Sequence, residues 1–288
     1  MFLRSLALLA TLCLATPALA QTSITLDAAP VAIIEARINN RPVRLEVDPR
    51  MPDMLALSTT ASERLGVRRL PFAAAQVGID GGGTMRGRIA RPNIRFGERS
   101  ARNFAGVFPV PVSTHADGVI GPGSLPYDIV TIRLGVDAAQ TRDIVLPLAD
   151  ADLWYTQAEV GGQTLRVMFD VANDASILNR PAARLFDRAG AIPAAGELAE
   201  RPVILGLSTL MQPVTTDLTA HGLALGPTFA RTVSPLLGAL EEDAIVAEGE
   251  ASETPPSLII GRQALAQAGC SSISVNRRTR QLTLRCAA

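Results

Sequence analysis

The chain has 288 residues, 48% hydrophobic, 19% charged and 4% aromatic, with a formal net charge of +0. That length buries a sizeable core and fits one large domain or two lobes, and balanced charge offers no electrostatic case for nucleic acid or for an anionic membrane surface. All 27 basic residues are Arg, which excludes a P-loop lysine, a Schiff-base lysine and a Ser-Lys dyad. The two His, His115 and His221, leave little for a His-rich metal site, and neither metal nor cofactor is expected.

In chain order, the first element is an address. Arg4, the apolar run Leu6 to Leu14 and the small-x-small site Ala18-Leu19-Ala20 read as a signal peptide over residues 1–20. A mature chain from Gln21, periplasmic or secreted, is expected, with no later membrane span. Ala36 to Asp48 is then two alternating strands around Asn39-Asn40, a pair suited to the positive φ of a tight hairpin turn. A turn, the apolar stretch Leu55 to Ser58 and a short helix closing near Gly66 follow. Val77 to Ile89 reads as a hairpin with the glycine-rich tip Gly81-Gly82-Gly83. Gly118-Val119-Ile120-Gly121 is an apolar strand ending in glycine, before a helical turn closed by Leu125 and the strand Ile129 to Leu134.

A linker over 138–153 separates this from a second copy. Ala158 to Asp170 again gives strand, turn (Gly161-Gly162), strand and Asp, followed by Ile177-Leu178 and a helix from Pro181. Leu258-Ile259-Ile260-Gly261 and a turn closed by Leu265 repeat the first unit's ending. Between them, Glu241, Glu242, Asp243, Glu248, Glu250 and Glu253 form an acidic stretch with no base, expected to be a surface loop. The last segment alternates on both sides of a polar turn at Asn276–Thr279, which brings Cys270 and Cys286 together; in an exported chain a disulfide is expected. The whole is mainly β, with short helices.

Strand, turn, strand, Asp, apolar strand, helix, flap hairpin and hydrophobic-hydrophobic-Gly, present twice, resemble the lobe of the aspartic protease superfamily. The pairing of two copies is similar to the pepsin-like arrangement, and the lobe size to retropepsin-like lobes. The resemblance covers nearly the whole mature chain. It implies two pseudo-twofold lobes, 21–137 and 154–288, with Asp48 and Asp170 as the catalytic pair and an extended peptide as the partner. Gly81, Gly82, Gly83 and Met85 would belong to a substrate-binding flap. In such a pair the carboxylates share one proton, so that one activates a water and the other donates to the scissile carbonyl.

The catalytic turns depart from that family's Asp-Thr/Ser-Gly. Here they read Asp48-Pro49-Arg50 and Asp170-Val171-Ala172, with hydroxyl and glycine missing twice. A guanidinium at Arg50 would reach a neighbouring carboxylate and, as a nearby permanent cation, favour both carboxylates ionised, which removes the shared proton. Arg50 is therefore expected to point toward the acidic pair or its rim, and the protein to be a weak or inactive peptidase that binds peptides; the alternative is an active aspartic endopeptidase using Asp48 and Asp170. Ser113, His115 and Asp117 carry hydrolase-like residue types but no nucleophile-elbow motif.

Overall fold

The computed structural model describes residues 21–79, 83–149, 154–231 and 255–288. The expected leader with Cys13, the tip residues Gly81 and Gly82, the end of the linker and the acidic stretch 241–253 lie outside them. The described chain is mainly β, with three short α-helices.

Strand β1 (Ser23–Asp27) precedes the hairpin β2 (Ile33–Ile38) and β3 (Arg41–Val47), then β4 (Leu55–Ser58) and helix α1 (Thr59–Arg64). A second hairpin, β5 (Arg69–Ile79) and β6 (Gly83–Ala90), leads to β7 (Asn93–Phe96), β8 (Arg99–Arg102), β9 (Ala105–Phe108) and β10 (Gly118–Ile120). A 3-10 turn at Pro122–Ser124 is followed by β11 (Ile129–Arg133) and β12 (Thr141–Pro147). The second unit runs β13 (Thr156–Val160), β14 (Gln163–Phe169), β15 (Ser176–Leu178), α2 (Arg180–Arg188), β16 (Ala199–Ile204) and β17 (Leu207–Val214). It continues with β18 (Thr219–Ala220), β19 (Leu223–Ala224), β20 (Thr228–Arg231), β21 (Ser257–Ile260) and α3 (Arg262–Gln267), and the chain ends in β22 (Ser272–Asn276) and β23 (Gln281–Ala287).

The local chemistry of the two units follows the sequence pattern. In β3, Val43, Leu45 and Val47 are buried and Arg44 is exposed, the period-2 alternation of a strand with one face on a core. Asn39 and Asn40 sit at φ 52° and 63°, and Gly161 and Gly162 at 56° and 77°, the left-handed conformations of a two-residue hairpin turn. The Ser58 hydroxyl caps α1 by accepting from Ala61 N–H, and the Asn179 side chain caps α2 by accepting from Ala182 N–H, each satisfying one orphan donor.

The two units are wired alike. One sheet runs β5-β6-β9-β4-β10-β3-β2-β7-β8, the other β16-β17-β20-β15-β21-β14-β13. Apart from the added β7 and β8, the strand orders correspond one to one. β10 lies parallel to β3 as β21 lies parallel to β14, and antiparallel to β4 as β21 is to β15. A third sheet, β1-β11-β22-β23-β12, draws strands from both units. The expected linker is thus partly ordered, since β12 pairs along its length with β23.

Gly121 and Gly261 explain how each Asp is placed. A Cβ on Gly121 would lie 2.0 Å from the Pro52 carbonyl oxygen, and one on Gly261 would lie 2.4 Å from Ala175 carbonyl atoms. Only glycine lets the loop after each Asp cross so close to the strand end.

Cys270 and Cys286 are joined, with an S–S distance of 2.02 Å, and tie the end of α3 to β23. Their sequence separation is 16, and closing a loop of that size is worth about 3 kcal/mol in the chain-entropy account. The double variant Cys270→Ser/Cys286→Ser is expected to lose about that much unfolding free energy in urea titration; an unchanged midpoint would show that the bridge is dispensable.

Candidate functional site

Asp48 follows the end of β3 and Asp170 the end of β14. Each backbone amide is held by the equivalent strand of its own unit: Asp48 N–H donates to Ile120 O (3.1 Å) and Asp170 N–H to Ile260 O (2.9 Å). Each carboxylate then accepts from the turn after it. Asp48 Oδ1 takes the Arg50 N–H at 2.9 Å, and Asp170 Oδ1 takes the Ala172 and Asn173 N–H groups at 2.8 and 3.0 Å. The Asn173 side-chain amide adds a 2.6 Å bond to Asp170 Oδ2. Both aspartates are buried, at 6% and 1% exposure.

Arg50 joins them. Its Nε and Nη2 donate to the two oxygens of Asp48 at 3.0 and 2.8 Å, a bidentate fork. Its Nη1 lies 2.7 Å from Asp170 Oδ2 and 2.6 Å from the carbonyl oxygen of Val203, at the end of β16. The side chain is 7% exposed. Burial alone would lower its pKa; the charges of Asp170 and Asp48 outweigh that and raise it above its ordinary value. The guanidinium is therefore a permanent cation between two buried carboxylates, and the charge-assisted fork is the strong kind of hydrogen bond.

The β16–β17 hairpin closes over this centre. Its two-residue turn, Leu205 and Gly206, has φ 53° and 72°. Leu205 is 5% exposed and packs in a cluster with Met51, Met85, Phe108, Val112 and Val119 of the first unit. A Cβ on Gly206 would sit 2.6 Å from the Pro111 carbonyl oxygen, so the tip is wedged against that loop. Nothing in the sequence pattern singled out this hairpin; the apolar Ile204-Leu205-Gly206-Leu207 apex was the available signal.

Gly81 and Gly82 lie outside the described residues. Gly83 opens β6 and pairs with Ile79. Met85 pairs with Val77 and is 8% exposed within the Leu205 cluster, because strand alternation turns it inward. Ser113 and Asp117 are engaged elsewhere. The Ser113 hydroxyl donates to Glu46 Oε2 at 2.6 Å, and Asp117 accepts from Arg44 N–H and pairs with Arg64. Glu46 itself has a raised pKa, chiefly through burial and partly through nearby Asp48, with the Ser113 hydroxyl acting in the opposite direction. Among the described residues, no group of three or more His, Cys, Asp or Glu side chains could hold a metal ion.

No protein-family model matches this chain, and no curated protein matches it.

Removing the central cation leaves two buried carboxylates without their counter-ion. Arg50→Ala is expected to cost about 3–5 kcal/mol at neutral pH, the range for breaking a buried ion pair from one side. Urea unfolding at pH 7 measures it, and an unchanged midpoint would show that the carboxylates do not depend on Arg50. Glu46 gives a pH signature. A carboxyl held above its unfolded value of about 4.5 contributes stability that is complete below that pH and is lost as pH rises through the folded value. Glu46→Gln should flatten the stability profile just above pH 4.5, read as midpoint against pH; a profile identical to wild type would show that Glu46 is not the titrating group.

Proposed function

We propose that the protein is an exported, bilobal, aspartic-protease-like binding protein that holds an extended peptide without hydrolysing it. The matched strand orders of the two large sheets, each carrying one Asp at the equivalent strand end, support the relation to the aspartic protease lobe. The leader-like first 20 residues and the Cys270–Cys286 bridge support export to an oxidising compartment.

The observation that carries the reading is Arg50 between Asp48 and Asp170. Aspartic peptidase chemistry needs one proton shared between the two carboxylates, one acting as base and the other as acid. A guanidinium paired with both carboxylates opposes that shared proton. Hydrolysis is then lost, and the place for a peptide is the one the β16–β17 hairpin fills.

The preference for a peptide follows from what the hairpin places there. Val203 presents a backbone carbonyl to Arg50, and Leu205 fills an apolar pocket. A peptide entering after the hairpin swings aside would offer the same two features, a carbonyl and a leucine-like side chain. The hairpin is then a competitor, and closure reduces apparent affinity by the fraction of closed molecules.

Calorimetric titration with leucine-containing and aspartate-substituted peptides tests this, alongside a cleavage assay at acid pH. The expected outcome is no cleavage, selective binding of the leucine peptide, and tighter binding by Leu205→Ala. Cleavage by the wild type that disappears in Asp48→Asn would overturn the non-hydrolytic reading. Absence of peptide binding by both wild type and Leu205→Ala would overturn the binding reading.

A further inference from the structure

A second site lies at the far end of β3 from Asp48, separated by roughly 23 Å of strand at 3.3 Å per residue. There the β2–β3 turn, the end of α1 and the β6–β7 connection enclose an open concavity of about 490 Å³. Arg41, Arg68 and Arg91 line it together with Asn39 and Asn93, and no carboxylate does. The neighbouring acids are already matched: Glu63 pairs with Arg69 at 3.0 Å and Asp117 with Arg64 at 2.7 Å. The pocket's shape is held locally. The Asn39 amide donates to the Leu65 and Gly66 carbonyls at 3.1 and 2.9 Å, and Arg41 donates to the Arg64 carbonyl. Arg91 lies 5.0 Å over the ring of Phe104.

Two further observations point to an anionic occupant with an apolar neighbour. On the adjoining strands, Arg37 of β2 stands directly opposite Arg95 of β7. Like charges in that register are destabilising, and an anion close to them would offset this; Arg37 Nη1 itself donates to the Asn40 carbonyl at 3.0 Å. Exposed apolar side chains accompany the pocket's arginines: Phe104, at 54% exposure, lies under Arg91, and Leu70 and Phe72, at 38% and 99%, follow Arg68 along β5. Phe72 sits in the irregular stretch of β5 between Arg69 and Ala74, at φ 60°, a conformation that bulky residues rarely adopt. The backbone there holds an aromatic ring out into solvent, four residues after Arg68.

We propose that this face docks on an anionic phospholipid surface, with a headgroup phosphate in the Arg41–Arg68–Arg91 pocket and Phe72, Leu70 and Phe104 entering the interface. Guanidinium forks suit phosphate oxygens. Aromatic rings favour the interfacial zone, and each arginine near an anionic surface contributes about fivefold in partitioning. The attachment is peripheral; among the described residues no helix is long and apolar enough to cross a membrane. The proposal stands apart from the reading of the Asp48–Arg50–Asp170 centre.

Sedimentation of the purified protein with vesicles tests it, comparing phosphatidylglycerol mixed into phosphatidylcholine with phosphatidylcholine alone. Binding is expected only with phosphatidylglycerol, weakening as salt rises. Arg68→Ala/Arg91→Ala should reduce it roughly 25-fold, and Phe72→Ser should reduce it further. Arg142→Ala, an exposed arginine on β12, should leave it unchanged. Three results would overturn the proposal: no vesicle binding, vesicle binding equal in all variants, or pyrophosphate binding to the pocket in calorimetry without vesicle binding, which would mark a site for soluble phosphate compounds instead.

Discussion

Two buried carboxylates, one at a strand end of each large sheet, require a cation, and Arg50 supplies it. Its Nε and Nη2 donate to Asp48, and its Nη1 donates to the Val203 carbonyl while forming an ion pair with Asp170. One side chain thereby ties the end of β3, the end of β14 and the closing hairpin into a single knot. Leaving either carboxylate in that site without the guanidinium would bury an uncompensated charge, which proteins avoid at almost any cost. The hairpin depends on the same atom group, because Val203 accepts from the Nη1 that also reaches Asp170. Chemistry at the centre and closure over it are therefore coupled through one residue.

The two units reach the same geometry with different side chains. At the first turn, Arg50 provides both the backbone N–H to Oδ1 and the side-chain donor to Oδ2 of Asp48. At the second, the Ala172 amide takes the first role for Asp170 and the Asn173 side chain the second. Asn173 is neutral and ends at its own carboxylate, whereas the arginine reaches across. The asymmetry extends to the hairpins. β5 and β6 carry Met85 inward to the cluster that receives Leu205 from β16–β17. The second unit's hairpin is the plug and the first unit's is part of its socket.

What could be read from sequence was local. Asn39-Asn40 and Gly161-Gly162 specify positive φ at two consecutive residues, which few other turns demand, so both hairpins were legible to the residue. Each Asp was legible because it ends an alternating strand twice in the same context. The Cys270–Cys286 bridge followed from the hairpin between its ends. The five-stranded sheet was not legible: β1 pairs with β11 and β11 with β22, across more than a hundred residues, and alternation says that a strand has a buried face without saying which strand lies beside it. Which way Met85 faces was not legible for the same reason. Period-2 patterning leaves two faces open, and packing against Phe108 and Leu205 decided between them. The plug was illegible because Leu205 has an apolar neighbour on each side, Ile204 and Gly206-Leu207, and no periodicity marks a hairpin tip that packs on another unit.

Net charge misleads in this chain because the charges are segregated. Between Arg86 and Arg102 there are six Arg and one Glu, while residues 241–253 carry six acids and no base. The sum is +0, which argues against long-range steering toward a polyanion. At physiological ionic strength, however, a surface charge is felt over about 8 Å, so a docking partner meets the local arrangement and not the total. Around the Arg41–Arg68–Arg91 pocket that arrangement is one-signed, since its nearest acids are spent on Arg64 and Arg69. Arginine in place of lysine throughout sharpens the effect. A guanidinium can sit over an aromatic ring, as Arg91 does over Phe104 at 5.0 Å, and still present donors to an anion. A basic face that also exposes phenylalanine is thus compatible with a neutral chain, and the exclusion drawn from composition applies to attraction at a distance, not to contact.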